Sequence, residues 1–80
     1  MKIEVLGPGC PRCHQTLDVV QRAVAELGLA VEVNYVTDLK EIMKAGIMAT
    51  PAVLVDGDVK FVGQVPALDD VKKVLQGAET

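Results

Sequence analysis

Tryptophan is absent from the 80-residue chain, and Tyr35 and Phe61 are its only aromatic residues. A surface for single-stranded nucleic acid would therefore have almost nothing on which to stack bases. Cationic residues are also sparse. Eight Lys and Arg stand against eleven Asp and Glu, a net charge of −3, so no basic footprint exists for phosphate backbones or anionic membranes. No apolar run approaches the roughly 18 residues of a membrane-spanning helix. Near the start, Lys2 is followed by Gly7, Pro8, Gly9 and Cys10 before any apolar run reaches signal-peptide length. These lacks lead to the expectation of a cytoplasmic monomer that has neither nucleic acid nor a membrane as partner. Cysteine is scarce too, with two residues, and in that compartment such a pair is more readily catalytic or metal-binding than structural.

What is present is aliphatic bulk. Half of the chain is hydrophobic, which suits one domain over residues 1–80, close to the lower size at which a single core suffices. No repeat, low-complexity tract or linker interrupts it. Lys2-Ile3-Glu4-Val5-Leu6 alternates as a short strand and stops at Gly7-Pro8-Gly9. From Pro11 the period becomes helical, with Leu17, Val20, Val24 and Leu27 on one face until Gly28. Val31, Val33 and Tyr35 then alternate with Glu32 and Asn34 as a second strand. Asp38 with Glu41 predicts a capping-box start to a short helix whose apolar face is Leu39, Ile42 and Met43, ending at Gly46. Ala52-Val53-Leu54-Val55 reads as a buried strand, Asp56-Gly57 as a hairpin turn and Val59-Lys60-Phe61-Val62 as its return. Pro66 opens a last helix carrying Leu68, Val71, Val74 and Leu75, with Asp69 and Asp70 in its first turn.

The chemistry is concentrated in Pro8-Gly9-Cys10-Pro11-Arg12-Cys13. Pro11 suits the first helical position, where its missing amide costs nothing, so the two cysteines straddle a helix N-terminus. The free amides and dipole there favour a thiolate, and Arg12 adds a cation beside them. Cys10, at the edge of the first turn, is expected to be the more exposed sulfur with a lowered pKa, and Cys13 to lie behind it within the helix. A disulfide between them would close so short a loop that its chain-entropy contribution is small, about 2 kcal/mol by the loop formula. Structural stapling is a poor account of the pair.

Other readings of the same residues remain. The pair could be inert core thiols. Cys10-x-x-Cys13-His14 fits a haem-attachment pattern, with Met43 or Met48 as a distal ligand, although the rest of the chain offers no haem pocket. A soft-metal site for Cu or Zn ranks higher, because metallochaperones also begin with a strand and a Cys-x-x-Cys helix. Element order favours redox exchange by the pair over metal transfer. Those metallochaperones run βαββαβ, whereas this sequence predicts βαβαββα. That is an α/β fold with a four-stranded mixed sheet, made of one parallel pair from the βαβ unit and antiparallel strands from the hairpin, and three helices.

Cys10-Pro11-Arg12-Cys13 after a first strand, with Thr50-Pro51 before a third, resembles a thioredoxin-fold protein over nearly the whole chain. Tyr35-Val36-Thr37-Asp38, Gly46-Ile47-Met48-Ala49-Thr50-Pro51-Ala52 and Gly63-Gln64-Val65-Pro66 resemble more narrowly the small, glutaredoxin-sized thioredoxins, the redox-active disulfide proteins. The resemblance implies a thiol-disulfide oxidoreductase that reduces protein disulfides by dithiol exchange. Cys10 would attack, Cys13 would resolve, and Pro51 would be a cis-proline facing the disulfide, with the Thr50 backbone pairing to an extended substrate segment. The cofactor requirement would be none beyond the reversible Cys10–Cys13 disulfide. Arg12 would tune the Cys10 pKa. Thioredoxins proper carry Trp before the first cysteine and Gly-Pro between the two, where this chain has Gly9 and Pro-Arg. The glutaredoxin pattern of Val before the cis-proline and Gly-Gly-x-Asp after the hairpin is replaced by Thr50 and Gly63-Gln64-Val65. The expected reductant is accordingly a flavoprotein of the thioredoxin reductase kind rather than glutathione, and the expected clients are proteins with disulfides.

Overall fold

The computed structural model describes residues 2–9 and 11–79. Its elements run β1 (Ile3–Leu6), α1 (Pro11–Leu27), β2 (Val33–Val36), α2 (Leu39–Lys44), β3 (Ala52–Val55), β4 (Asp58–Val62) and α3 (Leu68–Glu79). The βαβαββα order and the mixed four-stranded sheet agree with the expectation. Strand order is β2-β1-β3-β4, with β1 parallel to β2 and antiparallel to β3, and β3 antiparallel to β4.

Side chains alternate across a strand, and that period divides the core in two. Ile3 and Val5 of β1 and Val53 and Val55 of β3 turn to one face, where they meet Val20, Ala23 and Val24 of α1 and Val71 and Leu75 of α3. Leu6, Ala52 and Leu54 turn to the other, where they meet Ile42 of α2 and Ile47. All four β3 residues are buried for this reason, which explains why that strand reads as a continuous apolar run.

Local signals set the element ends. Gly28 adopts φ +67°, its N–H donates to the Ala25 carbonyl (3.2 Å) and that of Leu29 to the Val24 carbonyl (3.1 Å), a Schellman closure of α1. Asp38 caps α2 by accepting from the Lys40 N–H at 2.9 Å, whereas Glu41 pairs with Lys44 at 3.6 Å. Asp56 and Gly57 both take positive φ, as a two-residue primed hairpin turn requires. A register shift between Val53 and Leu54 leaves Lys60 without an opposite residue, a bulge on the outer strand β4.

Four expectations need correction. β2 begins at Val33 rather than Val31, because its parallel pairing starts opposite Ile3, the first residue of β1. The buried face of α1 includes Cys13, Thr16 and Ala23, while Leu17 and Leu27 are half-buried at its margin. Of the face assigned to α2 only Ile42 is buried; Leu39 and Met43 are 60% and 74% exposed, since six residues cover little of the sheet. Pro66 is buried in the connection before α3, which starts at Leu68.

Candidate active site

Three chain segments end side by side at one end of the sheet. The last β1–β3 pair is Leu6–Ala52 and the last β3–β4 pair is Ala52–Val62. One step further, Gly7, Pro51 and Gly63 lie next to one another. The Gly7 N–H donates to the Val36 carbonyl (2.9 Å), and the Gly63 N–H donates to the Pro51 carbonyl (2.8 Å). Helix α1 starts from this end, four residues after Gly7.

Cys13 stands in the first turn of α1 and is fully buried. Its side chain occupies the space above Gly7. A Cβ built on Gly7 would fall 2.8 Å from the Cys13 Cβ and nearer still to its Sγ, so only glycine lets the helix start pack this close to the end of β1. Thr16, one turn along and also fully buried, returns its hydroxyl to the Arg12 carbonyl at 2.9 Å, which satisfies the polar group inside the helix. The first turn of α1 contains no acidic residue, so no carboxylate side chain on that turn offsets the positive end of the dipole. Cys10, assigned above to the attacking role, lies outside the described residues.

Arg12 is exposed, yet its guanidinium is engaged. It donates to the Gly63 carbonyl at 3.1 Å, across 51 residues of sequence. Gly63 itself takes φ +74°, and a Cβ there would meet the Ala49 Cβ at 3.2 Å. The Thr50–Pro51 peptide bond is cis, with Pro51 buried and Thr50 half-buried. His14 is exposed, its ring edge-on to Tyr35 at a centroid distance of 5.7 Å. The structure thus brings Arg12 to the Pro51 loop through Gly63, and sets Cys13 against Gly7. Sequence reading treated Gly7 as a strand terminator, and Gly63 as a terminator and part of the Gly63-Gln64-Val65-Pro66 resemblance, without assigning either a place at the site. The available signal was that each glycine directly follows a strand that ends at the same side of the sheet.

The sequence model of the thioredoxin domain matches residues 1–76. The chain belongs to the thioredoxin family. It is 36% identical over 75 residues to a thioredoxin of Methanothermobacter thermautotrophicus, covering 94% of this chain and 97% of that one. It is 39% identical over 74 residues to a thioredoxin of Methanocaldococcus jannaschii, covering 92% and 85% respectively. A second M. jannaschii thioredoxin is 40% identical over 67 residues, 79% of either chain. As a thioredoxin-family member the chain is a protein-disulfide oxidoreductase whose clients are disulfide-containing proteins. No helix among the described residues is long and apolar enough to cross a membrane.

Proposed function

We propose that this thioredoxin reduces protein disulfides by dithiol exchange through Cys10-Pro11-Arg12-Cys13. The Cys10 thiolate attacks one sulfur of a client disulfide, forming a mixed disulfide and expelling the other client sulfur as a thiolate. Cys13, once deprotonated, attacks the Cys10 Sγ and releases the second client sulfur. Two electrons pass to the client, and the protein is left with an internal Cys10–Cys13 disulfide. The observation that carries this assignment is the full burial of Cys13 against Gly7. A sulfur enclosed in that way suits the resolving step, which needs reach only to the neighbouring cysteine, and is poorly placed for meeting an incoming client. The cation of Arg12 and the carboxylate-free first turn support a lowered Cys10 pKa. Thr50 and Pro51 would receive an extended client segment along the Thr50 backbone.

Residues 1–80 act as one unit, as a monomer in the cytoplasm, with no cofactor other than the reversible disulfide. Re-reduction falls to a flavoprotein reductase of the thioredoxin reductase kind, which should outpace glutathione at millimolar concentration.

The decisive experiment is trapping. Cys13→Ser should accumulate client mixed disulfides that resolve on a non-reducing gel, while Cys10→Ser should form almost none and be inactive in insulin reduction. Equal trapping by both variants overturns the division of roles. Metal analysis of the anaerobically purified protein tests the soft-metal reading of the same pair: stoichiometric Cu or Zn without reductase activity would replace the redox assignment.

A further inference from the structure

We propose that Arg12 is a positioning residue that sets the Thr50–Pro51 loop against the start of α1, and so selects polypeptide disulfides over small ones. The inference rests on the dithiol reading above and adds a specificity determinant to it.

Two hydrogen bonds in series carry the argument. The Arg12 guanidinium donates to the Gly63 carbonyl at 3.1 Å, and the Gly63 N–H donates to the Pro51 carbonyl at 2.8 Å. Gly63 is the hub between them. A displacement of Gly63 is passed to Pro51 through that second hydrogen bond, and the position leaves little room for a side chain, since a Cβ there would come within 3.2 Å of the Ala49 side chain. β4, which ends just before Gly63, is an outer strand with a bulge at Lys60 and exposed Val59 and Val62. Its outer edge has no further strand to hold it, and Arg12 supplies a tie from the first turn of α1. Guanidinium suits this task because it stays charged and donates in a fixed plane.

An extended client segment lying along Thr50 must present its sulfur to the cysteine turn at a defined separation. The Arg12–Gly63–Pro51 series fixes that separation. A small disulfide lacks such a segment and reacts without reference to it. This differs from charge tuning of the nucleophile, which changes the reaction with every disulfide in the same proportion.

The test uses the full chain, pre-reduced, with second-order rate constants measured by stopped flow for insulin and for bis(2-hydroxyethyl) disulfide, which is small and uncharged. The readout is the ratio of the two constants. In Arg12→Met the insulin-to-small-disulfide ratio should fall about tenfold, the size expected when one charge-assisted hydrogen bond that fixes a docking geometry is lost. The fall should persist at about 0.5 M salt, where long-range steering of a charged client is screened. Gly63→Ala, which strains the backbone at φ +74° and crowds Ala49 while leaving the cation in place, should lower the same ratio. A ratio unchanged in Arg12→Met overturns the proposal, whatever happens to the absolute rates, and so does a fall that vanishes in salt. Failure of the dithiol reading would show separately, as activity retained in Cys10→Ser.

Discussion

The two faces of the sheet are built to different standards. One is covered by α1 and α3, two helices of 17 and 12 residues that pack on each other and enclose nine buried residues. The other is covered by α2, six residues long, whose Ile42 packs with Leu6, Ile47, Ala52 and Leu54 in a smaller buried cluster. On that side Glu4, Leu6, Val36, Leu54 and the end of α2 line an open groove of about 320 Å³, and Met43, Gly46, Ile47 and Met48 line another of about 430 Å³. Met48 is 98% exposed. A small domain has too little chain to seal both faces. The thick face supplies stability, and the thin one leads through Ile47 and Met48 into Thr50–Pro51.

The sharpest way to break that comparison is to empty each core in turn. Leu75→Ala, in the thick face, should cost about 3–4 kcal/mol of unfolding free energy in a urea titration, because α1 and β-strand side chains surround the vacated volume. Ile42→Ala should cost about 2 kcal/mol, the low end of the range for such truncations, since its site borders a groove open to water. Equal losses would mean that both faces are sealed alike. Hydrogen exchange sharpens the point without mutation: amides of α2 should exchange at least about tenfold faster than those in the middle of α1, as expected of an element with few buried contacts. The smallest effect belongs to the exposed apolar residues. Leu39→Ser and Met43→Gln should each change stability by less than about 0.5 kcal/mol, the usual scale for surface positions.

The same contrast governs what could be read from the sequence. Seven elements were legible because each has a period and a stop: Gly28 and Gly46 close helices, and Asp56-Gly57 fixes the hairpin. Burial on each element was less legible. Apolar spacing selected Leu17 and Leu27 on α1, but the buried face runs through Thr16 and Ala23, and small or hydroxylated residues carry no apolar signal. Leu39 and Met43 have the right spacing, but their helix is too short to bury them. At the candidate site, the cysteine pair and Thr50-Pro51 were visible as motifs. The contact between Arg12 and Gly63 spans 51 positions and depends on where β4 ends, which no local pattern encodes.

At the opposite end of the sheet, Lys2 and Asp56 clasp each other. The Lys2 N–H donates to the Asp56 carboxylate at 2.7 Å, and the Asp56 N–H returns to the Lys2 carbonyl, also at 2.7 Å. The chain therefore enters the fold beside the hairpin turn and runs along β1, about 17 Å from Lys2 to Gly7 at the usual rise per residue. Anything attached ahead of Lys2, whether an affinity tag, a surface linker or a fusion partner, joins the fold at the hairpin end, across the sheet from Gly7 and the start of α1. Immobilisation through that end would present the reactive side of the molecule to solution.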